Sequence, residues 1–240
     1  MKTRRKVAYS YLAKQFRNVG SYLKVIEAVG RRGDFTLGRE LEKFEKEFAR
    51  FCGVKYAIGV SSGTDALFLT LKALGIGGGD EVITAPNSFI ASASVIALTG
   101  ATPRFVDVKD DYTLDPSKLS QVITKRTKAI IPVHLTGNIC DLEPILSIAR
   151  EGKISVIEDC AQACGGKYDG KRVGSFGVAG AFSFHPMKIL NVWGDGGAIT
   201  TNDFKLAKQL HLWRNHGLVD RDTVAFFAPN SRLHTIQAAI

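Results

Sequence analysis

The chain has 240 residues, of which 45% are hydrophobic and 23% charged, and these proportions exclude intrinsic disorder and predict a globular core. No apolar run is long enough to span a membrane, and the N-terminus MKTRRKVAYSYLAKQ lacks a secretory signal, so we expect a cytoplasmic protein without membrane contact. The formal net charge of +9 raises nucleic acid as a partner. The basic residues are dispersed, however, so we expect no nucleic acid and favour an anionic small-molecule substrate.

The cysteines form neither a CxxC pair nor a spaced set of Cys and His ligands. A disulfide framework and a zinc site are therefore not expected, and the sequence predicts no metal centre. We expect these side chains to act as small buried hydrophobic groups. The four positions are Cys52, Cys140, Cys160 and Cys164.

The segment ELEKFEKEFARF, residues 40–51, is the first strongly patterned element. Leu41, Phe44, Phe48 and Phe51 recur at helical spacing with Glu and Lys on the other side, which predicts an amphipathic helix. Beyond it, predicted helices and strands alternate. The helices are TDALFLTLKALGI, SFIASASVIALTG, DPSKLSQVIT and DLEPILSIAREG, and the strands are EVITAPN, TPRFVDV, KAIIPVH and ISVIEDC.

The predicted strands are short, β-branched and almost entirely apolar, as in parallel strands that are covered on both faces. Their alternation with helices predicts an α/β fold with three layers, in which a mainly parallel sheet is flanked by helices. In such sheets a ligand binds beyond the carboxyl ends of the strands. We therefore expect the functional residues at the carboxyl ends of the predicted strands.

A turn of small residues, 61–64, opens the helix TDALFLTLKALGI. A helix N-terminus offers unpaired N–H groups and a positive dipole end, and Gly63 allows a ligand to approach the backbone, which makes the turn a candidate phosphate site. The alternative is an ordinary helix start capped by Ser or Thr. The nearby GIGGGD follows a helix instead of a strand and predicts a turn, and the absence of GxxxxGK[ST] excludes P-loop hydrolysis.

The strand ISVIEDC ends in Glu158 and Asp159, at the edge where a ligand is expected. A carboxylate in this position can pair with the protonated ring nitrogen of a cofactor. The alternatives are a helix N-cap and a metal ligand. Gln162, three positions further on, is either the partner in a capping box or a second polar contact to the same ligand.

The apolar run Ala181–Phe184 is predicted to be a buried strand, and it leads directly into Lys188. We expect the Lys188 ammonium to be partly desolvated near Met187 and the two phenylalanines of the strand, which favours the nucleophilic amine that forms Schiff bases. Strand alternation places Ser183 on the face opposite these phenylalanines. Its hydroxyl is a candidate ligand for a phosphate oxygen.

Together these features are a phosphate cradle, a strand-end carboxylate, a lysine after a later strand, and an aromatic residue, Phe89, in the segment PNSFIAS. Pyridoxal 5'-phosphate (PLP) requires four such groups, which hold its phosphate, protonate its ring nitrogen, link its aldehyde and stack on its ring. The order and spacing of the set therefore predict PLP as the cofactor.

Longer phrases match a known family from about residue 34 to the last residue, and FSFHPMK with EDCAQA upstream is the most specific combination. The other phrases are FTLGRELEKFEKEFARFCGVKYAIGVSSGTDAL, GDEVITAPNSFIASASVI, PVHLTGN, CGGKYDGKRVGSFG, GDGGAI, RNHG and NSRLHTIQAAI. With them the sequence resembles the DegT-type family of nucleotide-sugar aminotransferases. The resemblance implies the aspartate-aminotransferase fold (fold type I) and PLP.

The resemblance also implies a role for each matching residue. Lys188 would hold PLP as a Schiff base and then act as the general base that shuttles the α-proton. Asp159 would pair with the pyridine nitrogen, Gln162 would contact the phenolic oxygen, and Phe89 would stack on the ring. The phosphate would be bound by Ser62, Gly63, Thr64 and Ser183.

Other expectations concern the surroundings of the cofactor. By the resemblance, Asn230 would reach into the active site of the neighbouring subunit of a homodimer, and His185 is a candidate catalytic residue. His185, His134 and His216 are each either pocket residues or hydrogen-bonded structural histidines. Trp193 stands where the family usually carries small residues, and it either narrows the sugar pocket or packs.

The activity implied by the resemblance is that of a transaminase of polysaccharide biosynthesis, which moves an amino group from glutamate to a keto group of a nucleotide-linked sugar. The expected organisation is a helical N-terminal segment over residues 1–33 and a PLP-binding large domain over residues 34–240, without the family's smaller C-terminal domain. Two alternatives are a non-catalytic, truncated PLP-binding or dimerisation module and a PLP-dependent sugar dehydratase, a class in which the Schiff-base lysine is replaced.

Overall fold

A seven-stranded sheet forms the centre of the computed structural model, which describes residues 7–240. The strands of the chain are β1 Tyr56–Val60, β2 Glu81–Thr84, β3 Thr102–Phe105, β4 Thr127–Ile131, β5 Ser155–Asp159, β6 Lys167–Tyr168, β7 Lys171–Arg172, β8 Ala179–Ser183 and β9 Gly197–Thr201. The sheet order is β1-β9-β8-β5-β4-β2-β3, and β6 and β7 pair separately as a small hairpin. In the described sheet β9 runs opposite to the other six strands, which share one direction, and this confirms the predicted mainly parallel arrangement.

Helices follow most of the strands and cover the sheet. They are α1 Leu12–Gln15, α2 Val19–Arg32, α3 Arg39–Cys52, α4 Gly63–Ala73, α5 Ala91–Leu98, α6 Leu119–Val122, α7 Leu142–Gly152, α8 Phe204–Trp213 and α9 Thr235–Ala239. The predicted helix DPSKLSQVIT is reduced to a 3-10 turn over Pro116–Lys118 and the single turn of α6, because the backbone becomes extended at Ile123. Within residues 7–240, no helix has the length and apolar character needed to cross a membrane.

Apolar side chains pack on both faces of the sheet, which gives the predicted three layers. On one face, α4, α5 and α8 bury residues such as Leu71 against strand residues such as Ile157. On the other face, α3 and α7 pack against the sheet. The ring of Phe48 on α3 meets Phe182 and Phe184 edge to face, with centroids 5.0 and 5.4 Å apart. The near-continuous apolar character of the strands is the consequence of this two-sided burial.

A buried ion pair covers the free edge of β1. Arg214, which follows α8 and is 6% exposed, contacts Glu45 on α3. The Glu45 carboxylate also accepts the Gly59 N–H at 2.7 Å, and the Arg214 guanidinium donates to the Gly59 carbonyl oxygen at 3.0 Å. The pair thus satisfies edge groups of β1 that have no neighbouring strand, and it joins α3, β1 and the end of α8.

Replacing Arg214 should therefore destabilise the protein strongly. In Arg214→Ala the Glu45 carboxylate, whose side chain is 13% exposed, loses its counter-charge, and we expect the free energy of unfolding to fall by about 3–5 kcal/mol. Urea denaturation measures this loss. The control is Arg31→Ala, which breaks the exposed pair with Glu27 and should change the free energy by less than about 1 kcal/mol. Equal unfolding midpoints for the two variants would contradict the interpretation.

Candidate active site

A cavity of about 520 Å³ opens at the carboxyl edge of the parallel strands. Most of its lining comes from the segments that follow β1, β2, β5 and β8, as the strand-end rule predicted. The cavity brings together nine of the residues that sequence interpretation named. They are Ser62, Gly63, Thr64, Phe89, Asp159, Gln162, Ser183, His185 and Lys188.

The N-terminus of α4 forms one wall of the cavity. The Ser62 hydroxyl caps the helix by accepting the Asp65 N–H at 3.0 Å, so the turn is a capped helix start. The N–H groups of Gly63 and Thr64 belong to the first turn, have no partner within the helix, and lie at the cavity. The two interpretations of this turn are therefore compatible, because the cap occupies one N–H group and leaves others for an anion.

Gly63 allows α4 to approach β8 closely. A Cβ atom at position 63 would lie only 2.6 Å from the Ser183 Cβ and 3.1 Å from its Cα. Any larger residue would force the helix away from the strand. The absence of a Cβ atom at Gly63 thus allows the helix N-terminus and the Ser183 hydroxyl to lie together around the same part of the cavity.

Asp159 is the last residue of β5 and is 6% exposed. Its Oδ1 accepts the Ala161 N–H at 3.1 Å, and its Oδ2 accepts the Ser92 hydroxyl at 2.8 Å. Burial raises the pKa of Asp159, and the hydrogen bonds from Ser92 and Ala161 act in the opposite direction. A cation delivered into the cavity would favour the ionised carboxylate, so the environment fits a partner such as a protonated ring nitrogen.

Glu158, the preceding residue, has a structural environment. Its buried carboxylate accepts the N–H groups of Gly174, Phe176 and Gly177 at 2.8, 2.8 and 2.9 Å. His134 Nε2 lies 3.4 Å from the same carboxylate. Because these donors occupy both of its oxygens, Glu158 holds the loop before β8 and does not line the cavity.

His134, Glu158 and Cys160 place potential ligand atoms within 4.8 Å of one another. The His134 Nδ1 accepts the Cys140 N–H at 3.2 Å, so the neutral ring carries its proton on Nε2, towards Glu158. Both ring nitrogens are thus used within the fold. This arrangement accounts for the group as a buried hydrogen-bonded cluster and identifies His134 as a structural histidine.

Gln162 is oriented by the turn that follows β4. Its Oε1 accepts the Thr136 N–H at 2.9 Å. The amide is therefore not the capping-box partner of Asp159, and its Nε2 is the end left for a ligand in the cavity. Of the two alternatives for Gln162, this geometry supports a polar ligand contact.

Lys188 is half-buried in a short turn after β8. Its N–H donates to the His185 carbonyl oxygen at 2.8 Å, and the Asn191 amide donates to the Lys188 carbonyl oxygen at 2.9 Å. His185 Nδ1 accepts the Met187 N–H at 3.2 Å, so the neutral ring carries its proton on Nε2. These bonds hold the backbone that presents both side chains to the cavity.

The residues predicted to surround Lys188 lie on two opposite faces of β8 and the turn that follows it. Ser183 and Met187 line the cavity, which agrees with the predicted alternation along β8. The two phenylalanines, Phe182 and Phe184, are buried on the opposite face against Phe48 and do not surround the lysine. Of the three apolar residues expected near Lys188, Met187 lines the cavity, whereas Phe182 and Phe184 do not.

Trp193, Asn230 and His216 lie outside the cavity. Trp193 does not line the cavity and instead packs against Phe16 and Tyr22, with ring centroids 6.1 and 5.3 Å away, so packing is its observed role. Asn230 is exposed, forms a β-bridge with Asn215, and lies outside this chain's own cavity. His216 is likewise exposed and outside the cavity.

The structure adds residues that the sequence interpretation did not select. Tyr9, Ser88 and Asp195 line the cavity, and Ser92 contacts Asp159 from behind it. Asp195 stands in the GDGG phrase after the lysine, and both serines flank Phe89, so their positions in matching phrases were available signals. Tyr9 precedes every patterned segment and had no such signal.

The cavity combines a lysine, a buried strand-end carboxylate and an anion-binding helix N-terminus on a mainly parallel sheet. This donor set fits PLP, and it defines the class of α/β domains that bind this cofactor. The chain belongs to the DegT/DnrJ/EryC1/StrS aminotransferase family, whose sequence profile matches residues 18–240. Members of this family depend on PLP, as the sequence predicted.

Individual relatives agree with this assignment. The chain is 52% identical over 209 residues to a dTDP-3-amino-3,6-dideoxy-alpha-D-galactopyranose transaminase of Aneurinibacillus thermoaerophilus, which covers 87% of this chain and 58% of that protein. It is 47% identical over 219 residues to the GDP-perosamine synthase of Caulobacter vibrioides, which covers 90% of this chain and 59% of that protein. The chain thus spans about three fifths of the length of these curated relatives.

Solved structures confirm the predicted fold. DesV of S. venezuelae, in complex with a ketimine intermediate, superimposes with a TM-score of 0.94 at 42% identity over 98% of this chain and 64% of that chain. NtdA of Bacillus subtilis, with bound cofactor PMP, gives a TM-score of 0.90 at 34% identity over 99% of this chain and 56% of that chain.

The contact between α4 and β8 can be tested at Gly63. We expect Gly63→Ala to push the helix N-terminus away from Ser183, to weaken PLP binding about 10-fold, and to lower the free energy of unfolding by about 1–3 kcal/mol. Fluorescence titration and urea denaturation measure the two effects. Gly20→Ala, on α2, is the control because nothing lies within 4 Å of its added Cβ, and it should not weaken binding. Similar affinities for both variants would contradict the close approach.

The burial of Asp159 predicts a pH-dependent stability in the cofactor-free protein. Because its pKa is raised on folding, the free energy of unfolding should fall as pH rises from the ordinary value of about 3.9 through the raised value. Asp159→Asn removes this charge and should therefore melt at a higher temperature than the wild type at pH 8, with a smaller difference at pH 4.

Thermal melts at several pH values measure this difference. The control is Asp110→Asn, at an exposed carboxyl group, which should leave the pH profile unchanged. An Asp159→Asn variant that melts below the wild type at pH 8 would show that the buried charge is stabilising, contrary to this expectation.

Proposed function

We propose that the chain is the cofactor-binding part of a PLP-dependent aminotransferase that moves an amino group from glutamate to a keto group of a nucleotide-linked sugar. The observation that carries the proposal is the single cavity that contains Lys188, the buried Asp159 carboxylate and the N-terminus of α4. The names of the relatives, which include dTDP-sugar transaminases and a GDP-perosamine synthase, support the same class of substrate.

When bound, PLP supplies an electron sink that permits an amino group and an α-proton to be exchanged. The Asp159 carboxylate would hold the proton on the pyridine nitrogen, and its low exposure would strengthen this ion pair. The Gln162 Nε2 would donate to the phenolic oxygen, because its Oε1 is already used by Thr136. Phe89, which lines the cavity, would cover the face of the ring.

The phosphate lies at the N-terminus of α4 in this proposal. Gly63 and Thr64 donate their first-turn N–H groups, and the Ser183 hydroxyl donates from β8. The Ser62 oxygen accepts the Asp65 N–H through a lone pair, which leaves its own proton for the phosphate. The helix dipole adds a favourable field for the dianion.

Lys188 would hold the cofactor through its Nζ, and the same Nζ would carry the α-proton. The bonded turn from His185 to Asn191 keeps the lysine backbone in place while its side chain moves. His185, whose Nδ1 is occupied by the Met187 N–H, presents Nε2 as a second group for proton transfer or substrate binding.

The substrate carries a pyrophosphate, which agrees with the net charge of +9. In this proposal the active unit is a cytoplasmic homodimer that serves polysaccharide biosynthesis. Exposed apolar side chains beside the cavity support a second copy at its mouth, since Phe89, Ile90 and Ile189 are 69%, 69% and 67% exposed. Asn230, exposed and outside its own cavity, would then contribute to the cavity of the partner.

Absorbance spectroscopy tests the proposal. We expect the chain with PLP to show the visible band of the lysine-linked cofactor, Lys188→Ala to lack it, and glutamate to convert it while 2-oxoglutarate accumulates. Lys205→Ala, at an exposed lysine on α8, is the control and should retain both properties.

The outcomes separate the alternatives. A Lys188-dependent band that glutamate leaves unchanged would favour a non-catalytic PLP-binding module. No band from a folded sample would contradict PLP binding by this chain. A sugar dehydratase is disfavoured because Lys188 is retained at the cavity.

A further inference from the structure

Ser92 connects two parts of the site, the Asp159 carboxylate and the segment that carries Phe89. It lies in the first turn of α5, and it is 1% exposed. Its hydroxyl donates to Asp159 Oδ2 at 2.8 Å, and its N–H donates to the Phe89 carbonyl oxygen at 3.1 Å. Ser92 therefore joins the Asp159 carboxylate to the segment that carries Phe89.

The direction of the hydrogen bonds follows from the chemistry of the groups. An ionised Asp159 can only accept, so the Ser92 proton points to it. The Ser88 oxygen lies 3.0 Å from the Ser92 oxygen, and it must then be the donor to Ser92. The result is a chain from Ser88, at the cavity, through Ser92 to Asp159. Hydrogen bonds in such a chain polarise one another in the same direction.

The two donors to Asp159 constrain its carboxylate plane. Ala161 holds Oδ1 and Ser92 holds Oδ2, so neither oxygen is free to rotate away from the cavity. The Ala161 donor is a backbone group in the loop after β5, whereas the Ser92 donor is a side chain on a helix. Without the Ser92 hydroxyl, the buried Asp159 carboxylate would keep the Ala161 donor but lose the other. A buried charge that lacks a hydrogen-bond donor is costly.

We propose that Ser92 is a positioning residue for Asp159. Its hydroxyl keeps the Asp159 carboxylate charged and holds it in the orientation that pairs with the cofactor ring nitrogen. The inference rests on the proposed function, because it concerns the same cofactor site. Ser88 completes the chain from the cavity side. Ser92 acts through Asp159 and does not itself touch the ring, so its effect should disappear when Asp159 can no longer be an anion.

Titration with pyridoxamine 5'-phosphate measures this effect without a covalent link to Lys188. We expect Ser92→Ala to raise the dissociation constant about 10-fold, which corresponds to about 1.4 kcal/mol. The matched control is Ser94→Ala on the same helix, because within residues 7–240 the Ser94 hydroxyl bonds only the Ala91 carbonyl oxygen of its own helix. Its dissociation constant should stay within about 2-fold of the wild type.

A double-mutant cycle distinguishes positioning from general damage. In the Asp159→Asn background, Ser92→Ala should cost less than about 2-fold, because the charged acceptor is gone. A full 10-fold loss in both backgrounds would overturn the proposal. A single Ser92→Ala variant that binds as well as the wild type would also overturn it.

A second pair of variants keeps the test decisive if Ser92→Ala fails to fold. Ser92→Thr retains the hydroxyl and should bind within about 3-fold of the wild type, whereas Ser92→Val has nearly the same shape without it and should show the 10-fold loss. Equal affinities of the Thr and Val variants would overturn the proposal. A folded wild-type chain that does not bind the probe at all would contradict the proposed function itself.

Discussion

The geometry of the site depends on two consecutive carboxylates at the end of β5, which point to opposite sides of the strand. Glu158 binds three backbone N–H groups of the loop 174–177, immediately before β8 begins. Asp159 faces the cavity. Because β8 leads to Lys188, the Glu158 carboxylate links the strand that bears the site carboxylate to the strand that presents the lysine. From outside the cavity, Glu158 thus reinforces the direct pairing of β5 with β8, which fixes the positions of Asp159 and Lys188 relative to each other.

The same site shows how functional groups depart from what stability alone would favour. Asp159 is a buried acid, and its burial disfavours the charged form. Phe89 is an apolar ring that is mostly exposed. In the proposed complex each would gain a favourable partner, a ring cation for Asp159 and a flat aromatic surface for Phe89. The surrounding fold tolerates these groups because donors such as Ser92, together with the closely packed contact at Gly63, hold the cavity walls in place.

Local patterns were sufficient for much of the fold. The helical spacing of Leu41, Phe44 and Phe48 predicted α3, and runs of apolar β-branched residues predicted strands from β2 to β5. Such elements are encoded by neighbours in sequence, because periodic burial of a helix or strand face leaves a periodic pattern. The same patterns did not predict β1, β9 or α8. β9 in particular is a five-residue strand that begins with glycine, and it is defined by antiparallel pairing with two strands distant in sequence.

For the site, sequence was enough to name the chemistry, and tertiary structure decided the contacts. The sequence was sufficient to identify Lys188, Asp159 and the turn at Gly63 as candidates. Few sites other than a PLP site combine these residue types at the ends of strands. Whether Gln162 caps a helix or faces a ligand depended on Thr136, a residue of another loop. Ser92 had no distinguishing pattern at all, since a serine in a helix acquires its role only from the partner that folding brings within hydrogen-bond distance. Residue identity thus determines which atoms can react or bind, whereas the packing of distant segments determines which of those atoms meet.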